Sequence, residues 1–530
     1  MKQYRNITFS IILGLTLFTS CDDLLDVDPE EVLLTEDYLG ASKIETRSAL
    51  FGVLSQLQDV AGQYVVLGEL RGDLTNVNAS TNDELREINN HAISADNSYA
   101  DLTTIFSIIN NCNFALEGID KEAFEGDLLD DYAGILRIRT WAQMQILINY
   151  GKLPYITVPI KTSDELDDTY PLLSIDEALD QLIRNLAEVE GVDNVTDYAG
   201  SEGFSVYKMI PDQHILLGDL YLWKGNYELA ATNYKLFLDE FSTLSTNRIS
   251  VTENNGKYTY NPDGWADIFG ESPRSTAVID YVAFSEQYRQ PNSSFEVITA
   301  QMQASTSIIA NWNSQSMGYE GLPVVDNLDE RAAVSATIED VEPLILKYQY
   351  EYFTWNRVAK IYLRYAEAIN YAGYPEQALV VINGIFNNPN VDPIDAPIFF
   401  NEEEFLNFDE WYYLFDDNEP IIGNLGVRGR ASLAPVGLDI DMSNITTAMD
   451  EVGALILNEA ALELAFEGNR WEDLMRYARR DSDASILADA IADKFITAGD
   501  AGTGEAIRAK LLNPDNWYLP YTIPDNFVSE

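Results

Sequence analysis

The chain has 530 residues, 46% of them hydrophobic, enough to bury a large core in several packed layers. Its 86 Asp and Glu against 33 Lys and Arg give a formal net charge of −53, which leaves no basic excess to neutralise phosphate and argues against nucleic acid or an anionic lipid surface as a partner. An aromatic content of 11% is too high for a disordered acidic chain, and with two histidines and two cysteines neither a His-rich zinc site nor an internal disulfide is expected.

The chain opens on an address. Lys2 and Arg5 precede an apolar run over residues 7–18, then Thr19-Ser20-Cys21. A charged start, a short apolar stretch and small residues make a secretory signal, too short to span a bilayer. The cysteine directly after them makes it a lipoprotein signal, with Cys21 as the lipidated first residue of the mature chain. Each acyl methylene buried in the membrane contributes ~0.8 kcal/mol. Residues 1–20 contain no acid, so losing Lys2 and Arg5 moves the formal charge from −53 to −55. Residues 21–35 are acidic and read as a tether between lipid and globule.

Residues 36–241 read as an N-terminal helical region. Ser174 and Glu177 have capping-box spacing, followed by apolar residues at 175, 178, 179, 182, 183 and 186, one buried helix face. In residues 214–241, Leu217, Gly218 and Tyr221 precede a Gly225-Asn226 break, and Ala230, Tyr234 and Phe237 follow it. Small residues where two antiparallel helices touch, with aromatics filling the gap, are the tetratricopeptide layout. A second copy aligns at residues 362–386, with Gly373 on Gly225 and Ala366 on Gly218. Residues 139–156 supply the first helix of another unit.

Residues 242–350 change character and read as an irregular, loop-rich insertion with short β-strands: a hairpin around Asn255-Gly256, a strand within 276–284, and an Asn-, Ser- and Gly-rich stretch over 308–323. Residues 351–530 form a C-terminal helical region packed with the N-terminal one into one globule. Here ALELAFEGNRWEDLMRYARR, residues 461–480, sets Glu459, Glu463 and Glu467 four apart on one helix face. Acids stacked on one face point the same way and cannot flank a scissile bond as a glycosidase pair must, so they are expected to be ion-paired, by Arg470, Arg476 or Arg364. Gly468 is expected to end that helix and Asn469 to cap the next, with Glu472 three residues on and Trp471, Leu474, Met475 and Ala478 on its buried face.

The segment from Glu463 to Leu474, ELAFEGNRWEDL, resembles the C-terminal signature of the SusD/RagB family of lipid-anchored nutrient-uptake proteins. YAEAINYAG with QALVVIN (365–383) is similar to the family's second signature, CDDLLDVDP (21–29) to the start of its mature chains, and LGELRGD (67–73) to a segment of its N-terminal halves. One departure is Ala460, where the family often has Arg. The resemblance implies a mostly α fold of about four tetratricopeptide-like helix pairs and a non-enzymatic role at the outer membrane, facing outside the cell. It implies capture of an oligosaccharide, or sometimes a peptide, for delivery to a TonB-dependent SusC-like transporter. It also gives Glu463, Glu467, Gly468, Arg470, Trp471 and Asp473 structural roles.

Flat aromatics and hydrogen-bonding side chains in loops are the expected glycan contacts: Trp265, Tyr288, Trp312 and Tyr319, with Arg71, Asp73, Asn76 and Asn78. The acidic balance favours a neutral glycan. No catalytic residue and no cofactor are expected. A structural calcium stays open, although no EF-hand pattern is complete, and HExxH, Walker A, GxSxG and dinucleotide motifs are absent. The competing readings are a tetratricopeptide lipoprotein that binds only proteins and a secreted glycoside hydrolase.

Overall fold

Apolar residues three and four apart become helices through most of the chain, and short connections fold these back on one another. The structure, a computed structural model, describes residues 43–121, 128–192, 206–240, 247–270, 277–284, 293–318, 322–348, 352–385 and 425–529, with short pieces between them. Cys21, the signal and the tether lie outside the described residues, as do Tyr288 and Tyr319.

The scaffold is a series of helix pairs. Helix α1 (Lys43–Glu69) packs on α2 (Thr103–Gly118) and α3 (Leu129–Tyr150). Helix α4 (Ile175–Ala187) begins with the Ser174–Glu177 capping box and lies against α3. Next come α5 (Gln213–Lys224) with α6 (Tyr227–Glu240), and α7 (Val358–Tyr371) with α8 (Pro375–Asn383). The short α9 (Gly426–Arg430) precedes α10 (Ile445–Glu463) and α11 (Arg470–Asp481). Each pair packs on the next: α4 on α5, α6 on α7, and α7 on α10. Helices α12 (Ser485–Thr497) and α13 (Ala501–Leu511) close the array. Among the described residues no helix is long and apolar enough to cross a membrane.

The small-residue logic of the repeats is visible at Gly218. A Cβ built there would lie 2.5 Å from the Tyr234 ring, so the aromatic of α6 fills the space the missing side chain leaves on α5. Gly225, in the left-handed region at φ 77°, turns α5 into α6.

The hairpin forms around Asn255-Gly256, both at positive φ, and joins β1 (Ser250–Asn254) to β2 (Lys257–Asn261). Strand β3 (Val278–Ala283) pairs antiparallel with β4 (Tyr352–Arg357), the lead-in to α7. The rest of the insertion is more helical than its composition suggests. Ser293–Gln301, Thr306–Asn313 and Arg331–Ser335 are helices, and the second takes in the start of the stretch expected to be a loop, residues 308–313.

The turn between α10 and α11 also differs from expectation. Helix α10 ends at Glu463, and residues 464–469 form a longer connection in which Phe466 (φ 72°) and Gly468 (φ 85°) are both left-handed. Asn469 sits at the cap position without capping through its side chain; its side-chain oxygen accepts from Tyr64 Oη, and its amide donates to the Glu467 carbonyl. Glu472 completes no capping box; its carboxylate takes Arg364.

Candidate functional site

Two features carry chemistry: a buried net of charges and an open cleft. The net starts from the stacked glutamates. Glu459, Glu463 and Glu467 are all buried. Neither the neighbouring Arg470 and Arg476 nor Arg364 from another repeat meets them. Arg364 pairs with Glu472, Asp473 and Asp219, Arg476 with Glu367 and Asp473, and Arg470 with Asp73. The cations come from elsewhere. Arg331 Nη1 lies 2.7 Å from Glu459 and 2.8 Å from Glu463, and Arg428 reaches Glu459 at 2.6 Å. Arg357 bridges Glu463 (2.6 Å) and Glu467 (2.7 Å), Arg430 also takes Glu463, and Lys347 takes Glu467 at 2.6 Å. Arg331 and Lys347 belong to the insertion, so the segment read as a passenger is bolted to the helical frame.

Burial by itself would raise the Glu463 carboxyl. Arg430, Arg357 and Arg331 outweigh that and hold it well below the usual carboxylate range. Glu467 is lowered in the same way by Arg357 and Lys347, and Asp473 by Arg364 and Arg476. A carboxylate depressed in the fold contributes stability that is complete above its unfolded value, 4.5 for glutamate, and is lost as pH falls through the folded value. The midpoint of thermal unfolding should therefore drop on acidification below about pH 4.5. A melting series over pH 3 to 7 checks the sign; a midpoint that rises toward pH 3 contradicts it.

A second node joins the two sequence motifs read separately at positions 67–73 and 463–474. Glu69 accepts the backbone N–H of Phe466 (3.2 Å), Gly468 (2.7 Å) and Asn469 (3.0 Å). Burial pushes its carboxyl up and those N–H groups pull it part of the way back, which leaves it raised to about 8. Arg470 forks onto Asp73 at 2.5 and 2.9 Å. Arg71 does not pair with Asp73. It donates to the Leu67 carbonyl and the Asn149 side chain, and its guanidinium lies 4.4 Å over the Trp471 ring. Gly68 allows this contact, because a Cβ there would lie 2.0 Å from the Gly468 carbonyl oxygen.

The residues singled out as ligand contacts do not gather into one site. Trp265 is fully buried in a small core with Ile249, Tyr260, Ile268 and Leu433. Trp312 is also fully buried, edge-on to Phe466, with Nε1 donating to the Leu462 carbonyl. Neither ring offers a face to solvent. Arg71 and Asp73 are committed to the node above. Asn78 is buried, its amide donating to Ala300 and its oxygen accepting from Ser80 and Thr81. Asn76 is half-buried on a short strand, Thr75–Val77, paired with Met302–Ala304. Among the described residues no cluster of three or more His, Cys, Asp or Glu is arranged to hold a metal ion, calcium included.

The large cavity lies elsewhere, a cleft of about 930 Å³. One wall is α2, which presents Thr103, Phe106, Ser107 and Asn110 to it. The turn before α2 adds Asp96, Ser98 and Asp101, held by Asn97 as an N-cap. A second wall carries Ile156, Ile160 and Leu166. Asn110 exchanges both hydrogen bonds with Ile160, and Asn113 donates to Ile156 and Val158, fixing this wall to α2. The third wall is the C-terminal segment, with Tyr521 and Phe527. Residues Phe527–Val528 form a strand parallel to Tyr170–Leu173, and the Phe527 ring stacks on Tyr170 at 5.6 Å. Aromatic and apolar surface thus faces acidic and hydroxyl groups, and among the described residues no lysine or arginine lines the cleft. Sequence reasoning missed it because its C-terminal wall comes from the far end of the chain, Asn526 meeting Leu166 across a separation of 360 residues.

Residues 422–529 match the family model described as the SusD family. Over 501 residues the chain is 22% identical to SusD-like protein P38 of Formosa agariphila, covering 90% of this chain and 92% of that one. The chain resembles the SusD family, through the model match at residues 422–529 and through this relative over most of its length. A SusD superfamily protein of Bacteroides thetaiotaomicron has the same fold at a TM-score of 0.57 and 18% identity, covering 90% of this chain and 98% of the other. A SusD-like carbohydrate binding protein of Bacteroides vulgatus aligns at 0.56 and 15% identity, covering 82% and 83%. In this chain the SusD-like signature around Gly468 lies in the buried charge net, away from the residues that line the cleft.

Proposed function

We propose that this protein captures an oligosaccharide in the cleft between α2 and the C-terminal segment and passes it, unaltered, to a TonB-dependent SusC-like transporter in the outer membrane, where Cys21 anchors it by lipid. The cleft is the observation that carries the reading. Rings at Phe106, Tyr521 and Phe527 suit the apolar faces of sugars, and the polar groups beside them suit sugar hydroxyls. The carbohydrate-binding relative with the same fold supports the ligand class. The most conspicuous acids, Glu459, Glu463 and Glu467, are sealed against arginines and lysine, which supports binding over hydrolysis.

Isothermal titration against neutral oligosaccharides, run beside a set of peptides, tests this. A saturable glycan signal is expected. Phe106→Ala or Tyr521→Ala should weaken it by about tenfold, the loss of one aromatic contact of ~1.4 kcal/mol, with the melting temperature little changed. Heat from peptides alone makes the protein a peptide-capturing member, and no heat from either favours a protein-binding scaffold. Anchoring is tested separately: Cys21→Ala should move the protein from the membrane to the soluble fraction while it stays folded. A variant still bound to membrane contradicts the anchor.

A further inference from the structure

Resting on the glycan-capture reading, we infer that the cleft selects an uncharged glycan and rejects sulfated or uronate-bearing ones. Among the described residues its charged lining side chains are Asp96 and Asp101, both exposed, and no cationic one lines it. A sugar hydroxyl can donate a hydrogen bond to a carboxylate. A sulfate ester or a uronate can only accept, and would set negative charge against negative charge.

Cations near the cleft are already engaged. Lys161, beside Ile160, is paired with Glu117 at 2.7 Å. Arg139 is buried beneath the Asn113 wall and donates to Asn113 Oδ1 and to the Thr157 carbonyl. The rim adds more acid. Leu166 sits in the Asp164–Asp167 turn, which contributes three carboxylates. Across the described residues buried arginines and lysines are close to balanced by buried carboxylates, so the negative excess of these residues lies at their surface. A concave site walled by one sign of charge concentrates that field on whatever enters. Neutral sugars pass through it without cost, whereas each anionic substituent is opposed at the rim and again at Asp96 and Asp101.

The test is a titration with xylo-, manno-, galacto- and laminari-oligosaccharides and the chemically sulfated counterpart of each. At moderate salt the neutral member of the binding pair should bind at least tenfold more tightly, and Phe106→Ala should weaken that binding about tenfold. Sulfated binding equal to or tighter than neutral overturns the selectivity and leaves glycan capture standing. Neutral binding that is undiminished in both Phe106→Ala and Tyr521→Ala overturns the assignment to this cleft. No binding in either series overturns the glycan reading, and the selectivity with it.

Discussion

Glu463→Ala should destabilise the protein by about 3–5 kcal/mol, the cost of leaving buried partners of a removed charge uncompensated. Three guanidinium groups converge on that one carboxylate, from Arg331, Arg357 and Arg430, and all three are buried. Without the acid they repel one another in a site that water does not reach. Glu463→Gln should rescue little, because the amide keeps the size but not the charge. Equilibrium unfolding in urea, read by circular dichroism, measures the loss. A variant as stable as wild type would show that the net is ornamental and that the frame is held by apolar packing alone.

Trp471→Ala should cost a comparable ~3–5 kcal/mol for a different reason. The indole is 1% exposed and sits in the main core with Leu474, Met475 and Ala478, so truncation leaves a cavity. It also supports the Arg71 guanidinium at 4.4 Å and the His91 ring at 5.5 Å. Trp471→Phe should recover much of the loss by refilling the space. If the alanine variant unfolds at the wild-type denaturant concentration, the packing of α11 against α1 does not hold the frame.

The repeats were legible because their determinants are local. Gly218 and Tyr234 lie on adjacent helices joined by a glycine turn, and spacing alone brings them together. The hairpin at Asn255-Gly256 was legible for the same reason: two residues at positive φ set the register. The partners of the glutamates were not. Arg357 is 106 residues before Glu463 and Arg331 is 132 before it, so the nearby Arg470 and Arg476 looked like natural partners while their true ones, Asp73 in the bend after α1 and Glu367 on α7, lay far off in the chain. The buried rings misled in another way. Trp265 and Trp312 lie in Asn-, Gly- and Asp-rich sequence that suggests exposure, yet neighbouring segments of the insertion and α10 cover them. The cleft needed the parallel pairing of Phe527–Val528 with Tyr170–Leu173, which no short-range pattern encodes.

The central claim is that the stacked acids fasten the frame and take no part in handling ligand. The most direct test is to melt Glu463→Ala and, on the same preparation well below its transition, to titrate it with the neutral oligosaccharide that binds wild type and then analyse that sugar by chromatography. The account predicts a lowered melting temperature, an affinity within about twofold of wild type since the cleft is separate from the net, and sugar recovered at its original length from both proteins. A variant that melts like wild type but no longer binds, or a wild-type protein that shortens the sugar while Glu463→Ala does not, would contradict it.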